Sequence, residues 1–97
     1  MIMTINKKLE QDTLIFAPAG RLDTMTAAAF ENELMSALEG VTALVLDFKD
    51  VAYVSSAGLR VILKAQKHMS NMKIIGANAM VMEVFEITGF ADILNIE

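Results

Sequence analysis

Two adjacent serines, Ser55 and Ser56, stand in front of the small pair Ala57-Gly58. They close an apolar run, Val51-Ala52-Tyr53-Val54, and a helical pattern starts directly after them. A hydroxyl at a helix start can accept a hydrogen bond from the unpaired amides there, so one serine is expected to cap. A cap needs only one hydroxyl, and the other is left for a different use. A phosphate at this position would meet unpaired N–H groups and the positive end of the helix dipole. It would change the local charge by about −2 at neutral pH without requiring the domain to unfold. Ala57 and Gly58 keep the backbone open to a partner or a nucleotide. The chemistry this pattern supports is that of a surface switched by charge.

Other routes to chemistry are poor. His68 is the only histidine, and no neighbouring carboxylate is in place to orient it as a base, so a surface or structural role is expected. No G-x-S-x-G surrounds the serines. Gly20, Gly40, Gly58, Gly76 and Gly89 stand alone, which leaves no phosphate loop. Asp47 and Asp50 are neighbours without a second acidic cluster, so they read as a strand end and a turn rather than as metal ligands. The absence of cysteine removes disulfides and thiolate chemistry. No catalytic residue, metal or cofactor is expected.

Bulk properties set further bounds. The chain has 97 residues, 55% of them apolar, which suits one small domain with its own core. The net charge is −4, and the basic residues are scattered. Arg60, Lys64 and Lys67 can share a helix face, but three charges are too thin a patch to predict nucleic-acid binding. No stretch approaches the ~18 apolar residues of a membrane span. The start, Met1 to Asn6, is too short and uncharged for a secretion signal. A soluble cytoplasmic protein with no membrane insertion is expected.

The elements that must position the serines follow from periodicity. Ile2-Met3-Thr4-Ile5 and Thr13 to Pro18 read as strands joined in a hairpin by the turn Gln11-Asp12. Pro18 is expected at an edge, a bulge or a strand end. Asp23 to Thr26 opens a helix, capped by Thr24 or Thr26, and its stripe is Ala29, Phe30, Leu34, Ala37 and Leu38. Gly40 is expected to close it as a left-handed cap. Ala43 to Phe48 reads as a buried parallel strand, with Asp47 near the end where α/β sheets present polar contacts. A second helix spans Gly58 to Met69, and Asn71-Met72 breaks the chain before a strand at Lys73 to Gly76. A third helix, Met80 to Ile87, ends at Thr88-Gly89, and Ile93 to Ile96 is a terminal strand or tail. The eight methionines read mostly as core fillers, with Met80, Val81 and Val84 an alternative contact surface. The order gives an α/β domain: a mixed, mostly parallel sheet of four to five strands packed with three helices. Periodicity leaves open whether the helices cover one face or two.

Three ordered blocks of residues add a resemblance. They are Gly20-Arg21-Leu22-Asp23 with Thr26-Ala27; Leu46-Asp47-Phe48, Val51 and Val54 to Arg60; and Ile75-Gly76-Ala77, Val84, Ile87 to Phe90 and Ile93. With them the chain resembles the STAS-domain family, particularly the bacterial anti-sigma factor antagonists, over nearly its whole length. The resemblance implies one domain over 1–97 that stops before the final helix common in the family. It implies a non-catalytic module that sequesters an anti-sigma factor with serine kinase activity. That kinase would phosphorylate a serine at the start of the second helix and let go, and a PP2C-type phosphatase would restore the binding form.

Gly58 aligns with the first glycine of the family's Gly-Leu-Gly, so the usual acceptor column, just before it, holds Ala57. Ser55 occupies an aspartate column, and Arg60 replaces the second glycine. A Ser-Ser-Ala-Gly-Leu-Arg version also occurs in the family. The implied acceptor is therefore Ser56, with Ser55 second. Asp23, Thr24, Ala57, Gly58, Leu59 and Arg60 are the implied partner contacts, and Asp47 supports the loop. Ala57 also favours another reading, a phosphorylation-independent STAS subunit of a lipid-transport or sensory assembly. An enzyme or small-ligand protein would need a pocket that the sequence does not announce. Oligomeric state is left open.

Overall fold

A computed structural model describes residues 3–97, so Ile2 of the expected first strand lies outside the described residues. The expected hairpin is present, but its first strand runs on to Glu10, up to the turn, rather than stopping at Ile5. Strands β1 (Thr4–Glu10) and β2 (Thr13–Leu22) pair antiparallel around Gln11-Asp12, with Leu9 opposite Leu14. Helix α1 (Ala27–Ser36), strand β3 (Ala43–Asp47), strand β4 (Val51–Val54), helix α2 (Ser56–His68), strand β5 (Met72–Ile75) and helix α3 (Ala79–Thr88) follow. A 3₁₀ turn, Phe90–Asp92, leads to the chain end. The described residues form the small α/β domain that the element order predicts, with a mixed, mostly parallel five-stranded sheet and three helices among them.

Parallel register explains which residues form the core. Leu14 lies beside Leu44 and Leu44 beside Met72, while Phe16 lies beside Leu46 and Leu46 beside Ile74. All six are buried. The alternate residues Ile15, Val45, Lys73 and Ile75 are only half-buried. The question left open by periodicity is thereby answered: one face of these strands is fully covered and the other is not. Phe30 of α1, Ile62 and Ala65 of α2, and Val81 and Phe85 of α3 complete the covered layer. Phe30 meets Phe16 edge-on, with ring centroids 5.6 Å apart, a favoured aromatic arrangement.

Strand β2 is forked. Thr13 to Phe16 pair with β3, whereas Gly20 to Leu22 pair with β4, with an irregularity between Gly20 and Arg21. Pro18 falls in the gap, so its missing N–H interrupts neither parallel ladder. It is buried inside a ten-residue strand rather than at a strand end.

Several boundaries differ from expectation, each for a local reason. Val51 to Val54 is a strand that four residues of sequence are too short to announce as alternation. Met72 is the buried first residue of β5, not part of the break. Ile93 to Ile96 contributes only one bridge, Ile96 with Ile74. Gly40 has φ +77° but stands beyond the end of α1, whose cap residue is Ala37. Gly89, at φ +81°, does close α3 in the left-handed conformation.

Asn78 is a device that periodicity does not reveal. Its Oδ1 accepts the Val81 amide at 2.8 Å and caps α3, while its Nδ2 donates to the Val51 carbonyl at 3.0 Å. One side chain thus fixes the start of α3 against β4. Asn78→Ala is expected to cost about 1–2 kcal/mol of stability, and Asn78→Asp, which keeps only the cap, less. Urea unfolding of the three proteins measures both.

Candidate functional site

The site grows from the paired ends of β2 and β4. Arg21 lies beside Tyr53 and Leu22 beside Val54, so Asp23 and Ser55 leave the sheet next to each other. The Arg21 guanidinium stacks over the Tyr53 ring, 4.6 Å from its centroid, and approaches the Asp23 carboxylate at 3.5 Å.

Ser55 is still extended, with φ −95° and ψ 178°, and its amide donates to the Leu22 carbonyl at 2.8 Å. Its carbonyl accepts the Leu59 amide at 2.9 Å, the first bond of α2. The helix then presses Gly58 onto β2. A Cβ on Gly58 would lie 2.6 Å from Leu22 Cγ and 2.9 Å from the Leu22 carbonyl oxygen. Only glycine permits this approach.

The two serines are thereby given different environments. The Ser55 hydroxyl is buried and without a hydrogen-bond partner. It does not cap α2, contrary to the expectation for one of the pair: Ser55 stands at the N-cap position, but its hydroxyl makes no bond to the helix amides. Ser56, the first helical residue, is exposed. Ala57 is half-buried and packs against the core. Ser56 stands at the rim of a largely apolar cleft of ≈ 350 Å³ lined also by Leu59, Arg60, Leu63, Thr88 and Phe90. Thr88 and Phe90 are site residues that sequence reasoning did not assign. Their only signal was the Thr88-Gly89-Phe90 block, in which the left-handed Gly89 turns the chain toward α2.

Asp23 shapes the neighbouring turn. Its carboxylate accepts the Met25 amide at 3.0 Å and the Thr26 amide at 3.3 Å, and the Thr26 hydroxyl accepts the Asp23 amide at 3.0 Å. This reciprocal pair is of the capping-box kind. Neither Thr24 nor Thr26 caps α1 through its side chain as expected. Thr26 donates backward to the Arg21 carbonyl at 2.6 Å, Thr24 is exposed, and the helix proper starts at Ala27. Met25, 82% exposed, is a large apolar side chain presented beside Asp23.

Asp47 lies elsewhere. Its carboxylate accepts the Lys49 amide at 3.2 Å and pairs with the Lys49 ammonium at 3.5 Å. These bonds stay within the β3–β4 turn. Among the described residues, no three acidic, histidine or cysteine side chains gather to hold a metal ion. No helix among them is long and apolar enough to cross a membrane.

The STAS domain model matches residues 4–97, almost the whole chain. The chain belongs to the STAS-domain family. It is 31% identical over 97 residues to an anti-sigma-B factor antagonist of Listeria monocytogenes, covering 94% of this chain and 84% of the relative. An anti-sigma-B factor antagonist of Bacillus subtilis is 26% identical over 100 residues, covering 99% and 92%. The crystal structure of an anti-sigma factor antagonist from Mycobacterium paratuberculosis superposes with a TM-score of 0.90 at 17% identity, covering 98% of this chain and 85% of that one. That last likeness confirms the fold.

Two outcomes follow from the geometry. Gly58→Ala is expected to lose about 2–3 kcal/mol, because Leu22 carbonyl oxygen is backbone and cannot step aside; denaturant unfolding reads this. Burial pushes the Asp23 carboxyl up, but the Met25 and Thr26 amides and then the Arg21 guanidinium outweigh it and hold the group below the usual carboxylate range. Its stabilising contribution is therefore complete above that range and lost as pH falls through its own lowered value. Thermal unfolding scanned from about pH 7 to about pH 3 should show a shallower acid decline in Asp23→Asn than in wild type.

Proposed function

We propose that this STAS domain is an anti-sigma factor antagonist that binds an anti-sigma serine kinase and is released when Ser56 is phosphorylated. The carrying observation is the exposed Ser56 hydroxyl on the rim of an apolar cleft, next to an enclosed Ser55 and a half-buried Ala57. Relatives named as anti-sigma-B factor antagonists support the partner class. In this reading the protein is the kinase's substrate and performs no catalysis itself.

The mechanism follows from the physical differences among the three positions. A kinase must bring its nucleotide to an accessible hydroxyl. Ser56 meets that demand, whereas the Ser55 oxygen is shut away. Unmodified, the cleft offers the half-buried Leu63 and Phe90 to an apolar partner side chain, while Leu59, which also lines it, is almost wholly buried; such apolar contacts contribute most in the centre of an interface. Asp23, Thr24 and the protruding Met25 follow the end of β2, whose partner strand β4 leads into Ser55 and Ser56. A phosphate of about −2 charge on the rim would have to be desolvated by any apolar or acidic partner surface, so binding would weaken. The domain itself would stay folded, because Ser56 is exposed and supports no hydrogen bond of the core. A PP2C-type phosphatase then returns the protein to its binding form.

Isothermal titration against the candidate anti-sigma kinase tests this, with wild type and Ser56→Asp in parallel. Wild type should bind, and the variant should bind at least about tenfold more weakly, a loss of roughly 1.4 kcal/mol. Incubation with kinase and ATP followed by peptide mapping should place one phosphate on Ser56. Equal binding by both proteins would remove Ser56 as the switch. Absence of binding by either would favour the phosphorylation-independent subunit, the reading to which Ala57 in the usual acceptor column points.

A further inference from the structure

Helix α2 carries Arg60, Lys64, Lys67 and His68 and no acidic residue. Lys64 is ion-paired to Glu31 of α1. Arg60 takes part in no ion pair among the described residues, although it is exposed. Its position is specific. Arg60 follows Ser56 by four residues, so the two side chains are neighbours on one face of the helix. Side chains of an α-helix lean toward its N-terminus, which directs a long arginine back over the turn that holds Ser56. Both residues line the same cleft.

From this we propose that Arg60 is a built-in receiver for a phosphoryl group on Ser56. The inference rests on the Ser56 reading above and adds the residue that decides where the phosphate goes. A guanidinium presents paired N–H donors that match phosphate oxygens. Once the group is attached, Arg60 turns from solvent to clamp two of its oxygens. The phosphate is then held at the Ser56 edge of the cleft rather than pointing into water. Modification therefore places a fixed anion at the edge of the apolar cleft. It also leaves the net charge of the pair near −1, so release depends on where the anion is held as well as on added charge.

The test uses full-length protein with phosphoserine genetically encoded at Ser56, which needs no kinase. Phosphorus NMR follows its second ionisation, which lies near pH ~6 for an unassisted phosphoserine. A clamped phosphate favours its dianion, so in wild type the ionisation should move down by about half a unit. Arg60→Gln should abolish most of that shift, Arg60→Lys should retain part of it, and Lys67→Gln, more than two turns away, should leave it intact. An equal ionisation in wild type and Arg60→Gln would overturn the proposal, since any remaining shift would then belong to the helix end alone. An equal loss in Lys67→Gln would overturn it too, as a general field of the helix. Kinase labelling of unmodified wild type reads the Ser56 assignment separately: no label on Ser56 alongside an Arg60-dependent shift would remove the switch and keep the receiver.

Discussion

The contact on which the site depends is the seating of α2 on Leu22. The Ser55 amide donates to the Leu22 carbonyl, and three residues later Gly58 packs against the same residue with no room for a Cβ. These two contacts fix both the height and the direction of the helix start. They leave Ser55 enclosed and Ser56 exposed, although the two residues are chemically identical and adjacent. A helix seated even slightly farther from the sheet would blur that distinction. Leu22 itself is held by its buried side chain and by pairing with Val54.

The forked strand β2 is what allows the sheet to serve both core and site. Its first half belongs to the central parallel ladder with β3, and its second half departs to pair with β4. Pro18 occupies the interval in which no parallel partner needs its N–H. Surface charge contributes little to this arrangement. The pairs Lys7–Glu33 and Lys64–Glu31 join β1 to α1 and α2 to α1, but pairs this exposed are worth at most about 1 kcal/mol each. The continuous buried layer from Leu14 through Ile62 to Phe85 holds the domain together.

The candidate site is a junction of chain segments that are remote in sequence. Asp23 and Met25 come from the end of β2, Ser56 to Leu63 from α2, and Thr88 and Phe90 from the end of α3. Each is placed by an ordinary local device: a reciprocal Asp23–Thr26 cap, a glycine contact, and a left-handed Gly89. The chemistry of the site is correspondingly modest. It offers an apolar hollow with the exposed Ser56 hydroxyl and the Arg60 guanidinium beside it, a set suited to binding and to control by charge.

The class of fold is legible in the sequence, because the short apolar runs of β2, β3 and β5 and the stripes of the helices depend only on local spacing. The sequence also singled out the serine pair, since two hydroxyls before Ala57-Gly58 form a local pattern. It could not announce β4, whose four residues acquire strand character from pairing with Leu22 and its neighbours. It expected a threonine side chain to cap α1, whereas Asp23 bonds the Met25 and Thr26 amides of the preceding turn and the Thr26 hydroxyl goes back to Arg21. It expected a serine to cap α2, and in the folded domain the Ser55 hydroxyl is enclosed without bonding the helix amides. Only the tertiary structure distinguished Ser56 from Ser55 and joined Thr88 and Phe90 to them. Exposure and clefts are properties of surfaces made when distant segments meet, and no local periodicity carries them.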